Sequence, residues 1–445
     1  MIKEALFFNK KEYFFYSKKI FFLNFISFLS IVASIIGNFA LNFIIVLSIF
    51  FFLLLVRKKI FFFSVNKFYF LYFLTLNLFF LFNILFSYNS LLSFYSYIGI
   101  VKNIFFGLVF YKVFQHNKKN TQLFFYLLIT LIILFIGDVL VQFFFLKDIF
   151  GYPLQDTHGI RLSGPFGKEY VAGSFLSKLL FLVVTYIHGT KNNNWVFKYF
   201  VIILSNATIL LSGERSAFLI TVIFTLFFIF FDNRIKSLKK ILIVLIYLII
   251  IFSTFILNYS IYKDQNDKLL LHRFSFLYGG QFQIISDNKN TNNFLSKREN
   301  YSLFKNFLDT RHGAHFLTGF EIFWDNKIFG SGLKTFREVC SKEKYANINS
   351  LSLKDRCNTH PHNIYIEFIS ELGVLGFGII FFIIMYIFIR LIKKKDIAML
   401  ASFFILFFPF QTTGAFFSSF NGFFYYIFFA YFAYRDKFFK IEKVG

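Results

Sequence analysis

Charge is scarce in this 445-residue chain: Asp, Glu, Lys and Arg make up 16% of it, against about a quarter in an average soluble protein. With 57% hydrophobic residues beside that shortage, a water-soluble protein of two or three domains is excluded. Runs such as Phe50-Phe51-Phe52 and Phe61-Phe62-Phe63 would aggregate if they faced water. Proline is scarcer still, with 4 in the whole chain beside 79 Phe and abundant Ile, Asn and Lys. That bias reads as the imprint of A- and T-rich codons, with Phe standing where Leu would serve the bilayer equally well, largely as lipid-facing filler. Also missing are a Walker-type Gly-rich loop, a dinucleotide fingerprint, a heptad run and any internal repeat, so nothing points to nucleotide use. The lack of a repeat also argues against a secondary transporter built from matching halves.

What is present is a series of apolar spans. They lie near 20–36, 39–56, 68–86, 96–114, 123–145, 170–188, 198–212, 216–231, 241–258, 373–391, 397–412 and 417–434, each about long enough to cross a bilayer as a helix. The expected fold is therefore an all-α polytopic membrane protein with about 12 transmembrane helices. The first span follows Lys18-Lys19 and precedes further spans without a small-residue cleavage site, so it reads as an anchor and not a signal peptide.

Acidic residues are outnumbered 47 to 23 by basic ones, a net charge of +24, which by itself would suit nucleic acid or an anionic membrane surface. The positions decide. Lys10, Lys11, Lys18 and Lys19, then Arg57 to Lys59, Lys118-Lys119, Arg234 to Lys240, Lys393 to Lys395 and Arg435 to Lys443 fall in alternate connections, while the intervening turns at Gly37-Asn38, Ser87 to Ser90 and Gln411 to Gly414 are almost uncharged. Lys and Arg collect on the cytoplasmic side, so both termini are expected there and no nucleic-acid partner is expected. The expected layout is a cytoplasmic N-terminus at 1–19, nine helices over 20–258 with an extracytoplasmic loop at 147–167, a large extracytoplasmic loop at 259–361, three helices over 362–434 and a cytoplasmic tail at 435–445. The large loop holds 15 basic and 10 acidic residues, enough polarity for a small subdomain.

Both cysteines, Cys340 and Cys357, fall in that loop on the oxidising side, which reads as a disulfide. Zinc is the rival, because His360 and His362 would complete four ligands. The C-x2-H-x-H spacing does not match the usual paired-knuckle pattern, so no metal is expected.

The richest stretch runs from Thr359 to Gly378 and includes His360-Pro361-His362-Asn363, Glu367, Ser370, Glu371, Gly373 and Gly376. Pro361 predicts a helix start, which would put His362 in the first turn of the tenth membrane helix. Asn363, Glu367, Ser370 and Glu371 then share a helical face, read as the wall of a wet cavity. Elsewhere Arg215 interrupts a nearly continuous apolar run from 198 to 231. It is placed at the outer membrane-water boundary, where an ionisable group is a functional candidate. Asp138, in the last third of an apolar helix, is costly unless it faces protein or water. It could bind sugar hydroxyls or orient Arg161, or it could serve only as an interhelical partner of Gln142 or Lys102.

His362-Asn363, nine residues, Gly373, two residues, Gly376, preceded by His360-Pro361, resembles the signature of the O-antigen ligase/polymerase superfamily. Asp138 and Gln142, Phe150-Gly151-Tyr152 and Arg161 to Glu169 are similar to the polymerase branch, as are Leu211 to Ala217 and the block Phe329-Gly330-Ser331-Gly332 with Phe336-Arg337. The resemblance covers roughly 130–380. It implies a glycosyltransferase of the bacterial inner membrane that polymerises repeat units at its periplasmic face. The donor would be a glycan on undecaprenyl diphosphate and the acceptor a second such unit, with no cofactor and with a chain-length regulator and a flippase as companions. A ligase moving finished polymer to lipid A core is the alternative. The same resemblance implies His362 as general base and Arg215 as a diphosphate clamp. Arg337 or Arg311 would be a second clamp, and His315, Arg161, Asp138, Asn363 and Glu367 would contact substrate. His312 and His158 are weaker candidates.

Overall fold

The computed structural model describes residues 10–57, 67–116, 118–154, 161–190, 194–261, 307–346, 350 and 352–442. His158 and the Asn-rich run 288–293 lie outside them.

Long apolar runs leave the backbone one way to satisfy its hydrogen bonds in lipid, and the chain takes it. The helices are α1 (Lys10–Ile36), α2 (Asn38–Arg57), α3 (Lys67–Leu85), α4 (Ser90–His116), α5 (Lys118–Phe145), α6 (Ala172–Gly189), α7 (Trp195–Leu211), α8 (Arg215–Phe231) and α9 (Ser237–Ile261), followed by α10 (Arg311–Asp325), α11 (Phe336–Val339), α12 (Ile364–Lys394), α13 (Ile397–Phe407) and α14 (Ser419–Glu442). Each of the twelve expected spans coincides with a helix. Among the described residues, six helices are long and apolar enough to cross a membrane, and five more are apolar but shorter. No strand is present among the described residues; Lys147 and Pro153 form an isolated bridge.

The interior corrects the reading of Phe as lipid-facing filler. Phe106, Phe110, Phe114, Phe124, Phe125, Phe143, Phe175 and Phe181 are among the largest fully buried side chains, packed between helices. Phe106 meets Phe110 edge to face at 4.8 Å, and Phe125 stacks on Tyr186 at 4.2 Å. Edge-to-face and offset packing suits the ring quadrupole, so much of the aromatic surplus is used as core. Other Phe side chains, such as Phe39 and Phe410, do stand exposed.

One end of the bundle is held by ion pairs, the buried Lys198 with Asp232 at 2.6 Å and the partly buried Arg435 with Asp396 at 2.7 Å and Arg390 with Asp436 at 2.7 Å. The other end carries the loops. There α12 is not one continuous helix. Gly373 has φ 64° and ψ −169°, and the chain around it pairs with the segment after α10. Ser331 and Gly332 N–H donate to the Ser370 and Glu371 carbonyls, and Val374 and Leu375 N–H donate to those of Lys327 and Ile328. A Cβ on Gly373 would lie 2.4 Å from the Ile328 carbonyl oxygen, and one on Gly330 2.2 Å from the Glu371 carbonyl carbon. Both glycines are there because two backbones touch. α10 rests on α12, and behind it Ile322, Phe336, Val339, Cys340 and Tyr345 form a small core. Cys340 and Cys357 are disulfide-bonded, with Cα atoms 5.3 Å apart.

Candidate active site

The residues leading into α12 do not form its first turn, as the proline had suggested. Asn363 is the N-cap: its side-chain oxygen accepts from Tyr365 and Ile366 N–H at 2.9 and 3.2 Å, and its amide donates to the Pro409 carbonyl at 2.7 Å. An Asn immediately before an apolar helix is a strong cap. That leaves His362 outside the helix, with φ 57°, a left-handed conformation uncommon for a residue with a side chain and one that clusters at functional sites.

Two contacts hold this bend. Thr413 N–H donates to the His362 carbonyl at 2.8 Å, and His360 Nε2 donates to the Thr413 carbonyl at 3.1 Å. The neighbouring Thr412 hydroxyl donates to Ser216 Oγ at 2.9 Å, one residue from Arg215 at the start of α8. The turn 411–414, which the sequence offered only as an uncharged connection, therefore links the histidine bend to the arginine turn. Among the residues that sequence reasoning missed, Thr412 and Thr413 matter most. Their one legible signal was position, between the last two spans on the expected outer side.

Glu214, next to Arg215, accepts from Gly173 and Ser174 N–H at 2.6 and 3.1 Å. A carboxylate on these first N–H groups of α6 satisfies orphan donors and the helix dipole together, and it fixes the turn from which exposed Arg215 projects.

Four imidazoles gather at the bend. The His362 ring centroid lies 4.2 Å from that of His360 and 5.1 Å from each of His312 and His315. His312 and His315 come from α10 at an i, i+3 spacing that puts them on one face. The Asn358 amide donates to His362 Nε2 at 3.0 Å. Surrounding protein, and then the neighbouring imidazoles, push His362 down to about 3. Burial likewise lowers His315 to about 4 and His360 to about 4. His312 is lowered by the protein packed around it, with Arg161 and Arg311 adding. All four rings are uncharged at neutral pH, so each offers a lone pair.

Three guanidiniums border the group. Arg161 lies over the Tyr170 ring at 5.7 Å, exposed Arg337 follows the Gly330-Ser331-Gly332 loop, and Arg311 is tied to Asp355 at 3.1 Å. These three guanidiniums act electrostatically on His312 and His360, and Arg215 is joined to the same bend through Ser216 and Thr412; positive charge beside uncharged imidazoles would hold an anion next to a proton acceptor.

The remaining expected site residues are turned to the scaffold. Glu367 is buried and accepts from Phe416 and Phe417 N–H at 2.7 and 3.5 Å. Glu371, also buried, accepts from Lys334 and Phe336 N–H at 2.7 and 3.3 Å. The polar face of α12 thus pins two loops in place of lining an open wet wall. Asp138 accepts from Ile149 N–H at 2.9 Å through one oxygen. Gln142 takes the Gly164 N–H at 2.8 Å, so both shape the 147–167 loop.

Residues 199–381 match the family model described as O-antigen ligase, a domain shared by O-antigen ligases and the related polymerases. The matched region spans α7 to the middle of α12 and contains Arg215, all four imidazoles, the disulfide and the Gly330–Gly373 junction. No curated protein matches the chain.

Proposed function

We propose that this chain, which carries an O-antigen ligase domain over residues 199–381, is a multi-pass bacterial inner-membrane glycosyltransferase of about twelve spans. It polymerises repeat units carried on undecaprenyl diphosphate at the periplasmic face. A hydroxyl of the acceptor unit attacks the donor's anomeric carbon, the bond from that carbon to the phosphate oxygen breaks, and the lipid diphosphate leaves with the electron pair. The hydroxyl proton passes to His362, whose ring is uncharged at neutral pH. Arg215, with Arg337, meets the charge that develops on the diphosphate. Arg311 is the weaker second clamp, since Asp355 already holds it.

One observation supports this reading most: the left-handed bend at His362 and the Arg215 turn are tied by consecutive residues, Thr413 and Thr412. Proton acceptor and anion clamp thereby share a scaffold. Polymerase is favoured over ligase by the resemblance of Asp138, Gln142 and the 161–169 run, while the matched domain is common to both.

The test is extension of lipid-linked repeat units by purified protein. The wild type should produce a ladder and His362→Ala should not; a variant that inserts normally and still makes the ladder would remove His362 from the chemistry. Arg215→Lys and Arg215→Ala should both fall well below wild type, and full activity in both would end the clamping role. A deletion strain separates the alternatives: a lost polymerase leaves single repeat units on core, a lost ligase leaves polymer on carrier.

A further inference from the structure

His315 poses a problem that transfer chemistry leaves unsolved. It is 96% removed from solvent, yet neither ring nitrogen has a hydrogen-bond partner. An imidazole left that way forfeits the desolvation cost of a donor and an acceptor. What its ring does face is nitrogen: one ligand atom from each of His312, His315 and His362 lies within 4.8 Å of the other two.

We propose that His312, His315 and His362 bind a divalent cation of the zinc class, and that filling this site withdraws His362 from proton transfer. The donor set is three imidazole nitrogens, which suits zinc better than magnesium or calcium. In a tetrahedral centre with bonds of about 2.0 Å the nitrogens would stand roughly 3.3 Å apart. The three rings therefore need only draw together by an ångström or so, and exposed His312 has room to move. Both thiols that could compete are joined in the disulfide. A cation bound through His362 Nε2 would displace the Asn358 amide that now donates to that nitrogen, and Asp355, which acts electrostatically on His315, adds a negative charge near the site. Arg161 and Arg311 nearby oppose a dication, so the site should fill reversibly and not as a permanent structural centre. A fourth position stays open for water or an anion.

The site itself is independent of the proposed reaction, whereas the inhibition rests on His362 being its base. The probe is Co2+, followed by visible absorption with full-length, tag-free protein in detergent. A tetrahedral-type band that saturates at one ion per chain and is displaced by Zn2+ is expected, with the dissociation constant raised at least about tenfold in His312→Ala. Because His312 is exposed, that variant should keep the fold; His315→Gln is the second variant. No band, or equal affinity in wild type and His312→Ala, overturns the site. In the extension assay, Zn2+ should abolish wild-type ladder formation and a chelator restore it, with each variant compared to its own metal-free rate. A filled site with undiminished extension would leave the cation site standing and overturn His362 as base.

Discussion

Thr413 holds the bend at His362 from both sides: its N–H donates to the His362 carbonyl at 2.8 Å, and its own carbonyl accepts from His360 Nε2 at 3.1 Å. The Thr413 hydroxyl, by contrast, is buried without a hydrogen-bond partner. Backbone and side chain can therefore be separated by mutation. Thr413→Ala keeps both backbone contacts and should extend lipid-linked units at close to the wild-type rate. Thr413→Pro removes the N–H and should cost at least about tenfold, the loss of roughly one well-placed hydrogen bond. Equal rates would show that the bend does not depend on this tie.

Gly373→Ala should destabilise the protein by about 3 kcal/mol. The residue sits at φ 64°, and its Cβ would press on the Ile328 carbonyl, so strain and overpacking add. Thermal unfolding in detergent measures this. Gly378→Ala, where a Cβ meets nothing within 4 Å, is the control and should be neutral or slightly stabilising.

Acid should weaken the loop-bearing end. His315, His360 and His362 have folded values near 4, 4 and 3, all below the ordinary 6.5. Below pH 6.5 the unfolded chain therefore binds protons that the folded one refuses, and stability falls with pH through the window from 6.5 toward 4. Above 6.5 these groups contribute no pH dependence. With chelator present, the melting midpoint should be level from pH 7 to 8 and drop below 6.5. Transfer should persist at pH 6, where a free imidazole would be mostly protonated. A midpoint constant down to pH 4.5 would contradict this.

Joint replacement of Cys340 and Cys357 by Ser should cost about 3 kcal/mol of stability in the unit around Phe336, Val339 and Tyr345, by releasing the closed loop in the unfolded state. Limited proteolysis should then cut between 340 and 357 while the helical bundle stays intact. Unchanged protease resistance would show that the small apolar core suffices alone.

Hydropathy made the bundle legible. Twelve apolar runs gave twelve helices because a segment in lipid has almost no alternative. Gly373 and Gly330 were readable as a motif, but not as two backbones in contact, since that contact joins residues 43 apart in sequence. His362 was placed in the helix on the strength of Pro361, when Asn363 was the better cap. Glu367 and Glu371 looked like a wet stripe because periodicity tells which residues share a face and not what faces them. Thr412 and Thr413 carried no unusual chemistry at all; their importance comes from where the chain returns after α13.

The pairing of residues 327–332 with 370–375 limits which parts of the loop-bearing end can move. Those hydrogen bonds splice the loop into a broken transmembrane helix, so this wall cannot swing aside without unzipping backbone pairs and lifting Gly330 off Gly373. It is masonry and not a door. Whatever moves at the loop-bearing end, the yielding must come from surfaces outside that splice.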